Sequence, residues 1–292
     1  MVPGDGDRPS GMVGECRLAA TQTATLTLEE PMARHTRLDT ILDLLSQQGN
    51  VEVEELVEAL QVSAATVRRD LDTLADQQLL TRTHGGAVPA ASSYDLPLRY
   101  KATRFAGAKM QIAEACAAMV QPGQIVGLNG GTTSTEVARA LVRRPDLTDG
   151  GEQATVTVVT NALNIATEIA VRRHVKIVVV GGVARPQSYE LIGPLADATL
   201  AEINLDVMFL GVDAIDVEHG ATAMHEGEAS VNRQLASLAG RVVVPADHSK
   251  LGCSAFAGIC SIDEVDVLVT DRPPTPELAT GLMDHRVDVV VA

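Results

Sequence analysis

Three groups of residues in this chain are of types that could bind an anion. The first is Asn129-Gly130-Gly131-Thr132-Thr133-Ser134, which follows a short apolar run and precedes a helical pattern. A glycine-rich turn between strand and helix leaves backbone N–H groups free, and the helix dipole adds positive character there. Thr132, Thr133 and Ser134 would add hydroxyl donors, so the segment could hold a phosphate without a cation. It has neither the lysine of a Walker loop nor the spacing of a dinucleotide fingerprint, and taken alone it is equally an ordinary tight turn. The second group lies after other apolar runs: Thr160-Asn161, Gly181-Gly182, Gly211-Val212-Asp213 and Asp247-His248-Ser249-Lys250. Open parallel sheets bind ligands outside the carboxyl ends of their strands, so these features can converge on one pocket. Singly, Gly181-Gly182 reads as a turn and Asp247 as a helix cap. The third group is Ser63, Thr66, Arg68 and Arg69, followed by Arg82 and His84.

The elements that must position the third group come first in the chain. Leu38, Ile41, Leu42 and Leu45 recur at helical spacing, with Gly49-Asn50 as the stop. Val53, Leu56, Val57 and Leu60 repeat the spacing over a second, short helix, whose other face carries Glu54, Glu55 and Glu58 and should point away from any phosphate backbone. A third helix opens at Ser63, a good N-cap, and buries Val67, Leu71 and Leu74, which leaves Arg68 and Arg69 outside. Residues 79–84 read as a strand, with Gly85-Gly86 closing a wing. Two short helices, the second with exposed cations, and a wing fit a winged helix-turn-helix. Ordinary surface arginines on a small helical domain are the plainer alternative.

The second half alternates short apolar runs (124–128, 156–159, 176–180, 207–212, 241–244, 265–269 and 287–291) with helical stretches (109–119, 135–141, 163–171 and 230–238). That alternation implies an α/β domain with a largely parallel sheet covered on both faces. The expected organisation is a disordered extension over residues 1–31, a winged helix-turn-helix over 32–88, a linker and connecting segment over 89–105, and the α/β domain over 106–292. Met32 is as plausible a translation start as Met1.

Charge opposes the DNA-binding interpretation at first sight. The chain carries a net charge of −15, and residues 34–88 hold five arginines against nine carboxylates. Such a surface repels DNA and phosphate, so contact must come from local positive features. Arg68, Arg69 and Arg82 supply them, and Asp70 and Asp72 on the same helix could orient the arginines by local pairing. Weak binding by one copy then calls for a homo-oligomer, a dimer or tetramer, to add avidity. Aromatic residues are only 2% of the chain with no Trp, which argues against a base-stacking surface for single strands. Cys16, Cys116, Cys253 and Cys260 form no C-x-x-C pair and no zinc spacing, so reduced thiols, no metal and no cofactor are expected. With no apolar run long enough to span a bilayer and no signal pattern, the expected location is cytoplasmic, at the nucleoid.

The sequence resembles the DeoR family of transcription regulators. The diagnostic stretches are Val62-Ser63 with Thr66-Val67-Arg68-Arg69-Asp70-Leu71, then Arg82-x-His84-Gly85-Gly86-Ala87. NGGTT, VVTNALNIA, VVVGG, ELIGPLA, DVMFLGVDAID, HGAT, EASVNRQL and PADHSKLG resemble successive blocks of its C-terminal domain. The resemblance implies a sequence-specific repressor of carbohydrate genes, partnered by double-stranded operator DNA and a phosphorylated sugar. Ser63, Thr66, Arg68, Arg69, Arg82 and His84 would then meet DNA. Gly130, Gly131, Thr132 and Thr133 would hold phosphate, with Asn161, Asp213 and Lys250 around the ligand. It also implies a sensor fold related to ribose-5-phosphate isomerase. Asn129 and Asn232 stand where the family usually has Asp and Lys. The competing function is a sugar-phosphate isomerase using Asp213, Glu226, Glu228 and Lys250, but the isomerase's lysine–polyglycine loop is absent after Gly220, where the chain reads ATAMHEGEAS.

Overall fold

A computed structural model describes residues 33–77, 79–89, 98–102, 104–148 and 155–292; the extension expected over residues 1–31, with Cys16, and most of the linker lie outside them. The first element, α1 (Arg34–Gln48), buries Leu38, Ile41, Leu42 and Leu45, and ends where Gly49, at φ 75°, donates its N–H to the Leu45 carbonyl. After β1 (Val51–Glu52), α2 (Val53–Leu60) starts with a reciprocal capping box between Glu52 and Glu55. In α3 (Ala64–Asp76) the Ser63 hydroxyl accepts the Thr66 N–H, as its N-cap position predicts. The wing is β2 (Leu80–Arg82) and β3 (Gly86–Pro89), and β1, which the sequence pattern did not reveal, pairs with β3 to make the order β1-β3-β2. Gly86 belongs to the strand rather than the turn: a Cβ on it would lie 1.8 Å from the Val51 carbonyl oxygen, so only glycine lets β3 pass β1 there. Leu56, Val67, Leu71, Leu74 and Ala87 close a core drawn wholly from this unit.

The second unit begins with α4 (Leu98–Lys101) and α5 (Ala106–Ala118). It continues through β4 (Ile125–Leu128), α6 (Thr132–Arg143), α7 (Pro145–Thr148), β5 (Val156–Thr160), α8 (Leu163–Ile169), β6 (Val175–Val179), β7 (Val183–Ala184) and β8 (Leu191–Ile192). The remainder is α9 (Asp197–Leu200), β9 (Val207–Phe209), β10 (Ala214–Asp216), β11 (Gly220–Ala223), α10 (Glu226–Ser237), β12 (Val242–Pro245), β13 (Ala257–Cys260), β14 (Val267–Thr270), α11 (Pro276–Asp284) and β15 (Asp288–Val291). Seven of these strands form a sheet of order β15-β14-β12-β9-β4-β5-β6 in which every pairing is parallel, as the alternating pattern implied.

Its strands are apolar on both faces. Val243, Val267 and Val269 face one core with α5 and α6, while Val242, Val244 and Leu268 face the other with α10 and α11. The order reverses between β4 and β9, so a crevice opens at their carboxyl ends, next to the Gly130 turn and Gly211. Two helices begin earlier than the periodicity suggested: α6 at Thr132 and α10 at Glu226. Their first turns are polar, so the apolar stripe marks only their later residues.

Candidate DNA-contact and effector sites

On α3, Arg68 and Arg69 are both exposed. Arg68 has no ion pair or hydrogen bond among the described residues, and Arg69 makes one bond of 3.3 Å to the Ala65 carbonyl. Asp70 does not orient them, contrary to the expectation from its neighbourhood. It is 2% exposed and receives a bidentate pair from Arg37 of α1 at 2.7 and 3.2 Å, with Arg34 at 3.8 Å. The helical turn puts residue 70 on the buried side with Val67 and Leu74. Asp72 does hold an arginine: its Oδ1 lies 3.1 Å from Arg82 Nε, while Arg82 Nη1 donates to the Gly86 carbonyl. Arg82 is therefore committed to bracing the wing. Ser63 is committed too, capping α3 and meeting Thr66 Oγ1 at 3.0 Å. His84 is exposed at the wing tip. Glu54, Glu55 and Glu58 are exposed on α2. The acidic count is thus partly absorbed: two arginines serve one buried aspartate, and the outward cations of α3 are free of carboxylates.

In the second unit the predicted residues follow the carboxyl ends of β4, β5, β9 and β12, on either side of the switch point. The side-chain amide of Asn129 bridges it, donating to the Gly211 carbonyl at 2.9 Å and accepting the Gly211 N–H at 2.7 Å. Asn129 is buried between strands, so it is a clasp; an aspartate there could accept but not donate. Gly131, at φ 126°, turns the chain into α6, and Thr132 and Thr133 occupy its first turn, half-buried. The N–H groups of Gly130 to Ser134 find no backbone acceptor among the described residues. Ser134, counted among the hydroxyl donors above, is fully buried and points at Asn129 Oδ1 and the Gly130 carbonyl instead.

Asn161, also fully buried, donates from Nδ2 to Glu190 Oε2 (3.2 Å) and Asn232 Oδ1 (3.3 Å), and Asn232 Nδ2 reaches Glu190 Oε2 at 3.3 Å. The Glu190 side chain lies over Gly130, where a Cβ would sit 2.4 Å from its Cγ. Asn232 therefore borders a carboxyl group and not the anion turn. Beside it, Arg185 pairs with Glu228 at 2.9 Å. Asp213 accepts from the Met224 N–H (2.9 Å) and from Lys101 Nζ (3.3 Å), with Lys250 Nζ at 4.0 Å.

The charges at these strand ends perturb one another. Burial acts to raise Asp213, but Lys101, Lys250 and the Met224 N–H outweigh it and hold the carboxyl below its usual range. Burial lowers Lys250 against the pull of Asp213. Burial also lowers Lys109 of α5 to about 8, and its ammonium donates to the Lys101 carbonyl at 2.6 Å. Glu190 is pushed up, by burial first and by Glu228 second.

The sequence reading missed Glu190, Arg185 and Lys101. ELIGPLA drew attention only as a block, and a lone carboxylate beside Tyr189 carries no local signal; its partners are 29 and 42 residues away. A separate open cleft of about 580 Å³ is lined by Phe105, Met110, Gln111, His248, Asp271 and Arg272 among others, and includes none of the predicted effector residues. Among the described residues no cluster of three or more His, Cys, Asp or Glu is set to hold a metal, and Cys116, Cys253 and Cys260 are free.

A winged helix-turn-helix with an exposed arginine pair, joined in one chain to an α/β unit with buried polar groups at its strand ends, is the architecture of a DNA-binding regulator. Residues 37–93 match the DeoR-like helix-turn-helix domain and residues 104–272 the DeoR C-terminal sensor domain, so the chain belongs to the DeoR family of transcription regulators. It is 32% identical over 87% of its length to a putative aga operon transcriptional repressor of Escherichia coli O157:H7, covering 93% of that protein. It is 33% identical to the glycerol-3-phosphate regulon repressor of Escherichia coli K12, over 88% of this chain and 99% of the relative. Among solved structures, ribose 5-phosphate isomerase A of Methanocaldococcus jannaschii aligns at 20% identity and a TM-score of 0.36, covering 49% of this chain and 53% of the enzyme. A likeness that distant carries nothing about activity.

Proposed function

We propose that this regulator is a repressor of carbohydrate genes that binds double-stranded operator DNA through α3 and the wing, and is controlled by a phosphorylated sugar. Arg68 and Arg69 make the principal contacts, with Thr66 and His84 beside them; Ser63 and Arg82 support the contact surface and touch phosphate only at its margin. The effector phosphate sits on the N–H groups of Gly130, Gly131, Thr132 and Thr133, and Asn161, Asp213 and Lys250 surround the sugar. One observation carries this reading: the free N–H groups of the Gly130 turn and the Asp213–Lys250 pair border the same sheet reversal. Two relatives are named as a putative aga operon transcriptional repressor and a glycerol-3-phosphate regulon repressor, which agrees with it. The sensor senses without turnover, and the protein works in the cytoplasm as a dimer or tetramer, which supplies the avidity that a net acidic DNA-binding unit needs.

A thermal-shift screen across sugar phosphates, with and without operator DNA, tests the proposal. A ligand at ~100-fold excess over its Kd stabilises by about 2.7 kcal/mol, which such a screen resolves. The expected result is stabilisation by at least one sugar phosphate and a change in its size when operator is present. Silence toward every phosphorylated sugar defeats the sensor half, and turnover of a pentose phosphate would defeat the view that the domain only senses.

A further inference from the structure

Glu190 is buried to 3% exposure, yet no cation lies at ion-pair distance among the described residues. The neighbouring acid Glu228 is already neutralised by Arg185. Both hydrogen bonds to the Glu190 carboxyl, from Asn161 and Asn232, arrive at Oε2. Its other oxygen, Oε1, receives none and lies against Gly130, at 2.5 Å from where a Cβ would stand. Asn161 Oδ1, by contrast, is fully buried and has no donor. Asn161 Oδ1 is thus a buried acceptor left unfilled, and Glu190 Oε1 an unbonded oxygen beside the turn whose N–H groups are also free. A buried polar atom without a partner, as Asn161 Oδ1 is, is uncommon enough in folded proteins to need an explanation, and a ligand that brings donors is one.

The backbone is arranged to hold the carboxyl there. Residues 185–190 form a closed loop, in which Tyr189 donates its N–H to the Arg185 carbonyl and Arg185 donates to that of Glu190, both at 2.8 Å. Tyr189 adopts φ 61°, a left-handed conformation that side chains seldom take, immediately before Glu190. Burial and Glu228 favour the protonated carboxyl, so the group can donate to a hydroxyl as well as accept from one.

We propose that Glu190, with Asn161 and Asn232, forms a hydroxyl-reading subsite beside the Gly130 turn, so that the effector is a polyhydroxylated monophosphate recognised at its phosphate and at hydroxyls close to it. The proposal rests on the phosphate-binding role of the turn. A purely structural Glu190, bracing the turn, is the alternative, and the two differ in what they do to a phosphate ester without hydroxyls.

Calorimetric titration of the full chain distinguishes them. The probes are inorganic phosphate, ethyl phosphate, and a panel of ribose 5-phosphate, glucose 6-phosphate, fructose 1-phosphate and glycerol 3-phosphate. Wild-type protein is expected to bind at least one polyol phosphate about tenfold or more tightly than ethyl phosphate. Glu190→Met should erase most of that preference and leave ethyl phosphate within about threefold, whereas Glu190→Gln, which keeps a donor and an acceptor, should preserve it. Equal affinity of the wild type for ethyl phosphate and every polyol phosphate overturns the subsite, and that comparison needs no variant to fold. Equal loss of ethyl and polyol phosphates in a folded Glu190→Met variant also overturns it, in favour of the bracing role. Failure of the wild type to bind any phosphate removes the phosphate turn itself and the subsite with it.

Discussion

At the scale of single residues, the acidic helix-turn-helix resolves into arginines with different duties. Arg34 and Arg37 are spent on buried Asp70, Arg82 on Asp72 and the wing, while Arg68 and Arg69 have no carboxylate partner among the described residues. Arg68→Ala and Arg69→Ala should each weaken operator binding and lower the slope of log affinity against log salt by about 1, with melting temperature and effector-induced stabilisation unchanged. Fluorescence anisotropy over a salt series checks this, and an unchanged slope in both variants would remove them from the interface. Arg37→Ala should instead destabilise the unit: it leaves a carboxylate that is 2% exposed with only the distant Arg34 at 3.8 Å, a loss of up to about 3–5 kcal/mol in thermal or urea melts. The distinction was not legible in the sequence. Asp70 stands next to Arg69, but its partner lies 33 residues away, on a helix whose packing decides the pair.

Glu190 leaves a signature of its own at this scale. Its folded-state pKa is raised, so the native state holds the proton more firmly than the unfolded chain does. For such a group the stabilising contribution is present at low pH and is lost as pH rises from the ordinary glutamate value through the raised one. The charged groups around it are Glu228, Arg185 and Asp213. Wild-type protein should therefore lose stability relative to Glu190→Gln between about pH 5 and about pH 8, by more than about 1 kcal/mol. Denaturant melts of the two proteins across that range measure the difference, and parallel pH profiles would contradict the burial of an ionisable carboxyl at that position.

At the scale of elements, legibility follows burial. The parallel strands were visible because both faces are covered, which makes 156–159 and 241–244 nearly continuous valine. The antiparallel sheet β10-β11-β13 was not, since β11 reads GATA and has no alternation to detect. Helix starts were lost for a similar reason at α6 and α10, whose first turns are largely polar and break the apolar stripe. The Ser63 cap was legible because capping is local chemistry. Ser63→Ala should cost about 1 kcal/mol in stability, within a range of about 0.5–2, through loss of the bond to the Thr66 N–H. A matching fall in DNA affinity that disappears when binding is measured well below the melting transition identifies Ser63 as a cap; a loss of affinity that persists there would make it a direct contact as well.

At the scale of the whole molecule, the question is how the sensor informs the DNA-binding unit, and α4 is the element the chain supplies for it. In sequence α4 follows the segment that leaves the wing. It is fastened to the pocket twice, by Lys101 on Asp213 at 3.3 Å and by the Leu98 N–H on the Gln187 carbonyl at 2.8 Å. Gln187 belongs to the loop that carries Arg185 and Glu190. An effector that engages Asp213 competes with Lys101 for the same carboxylate, and differential contact of this kind is what a ligand needs to shift a conformational equilibrium. Lys101→Met should keep operator affinity in the absence of effector and keep measurable effector binding, because Lys250 still faces Asp213. What it should lose is the link between them. Couplings of this kind commonly amount to about 5–150-fold, and in the variant the effector should change operator affinity by no more than about twofold. Linkage makes the test double, since operator must then change effector affinity by the same reduced factor. Titrations run in both directions on wild type and variant give the two numbers. Coupling of wild-type size in Lys101→Met would place the signal on another path out of the pocket, with the Leu98–Gln187 tether the next element to break.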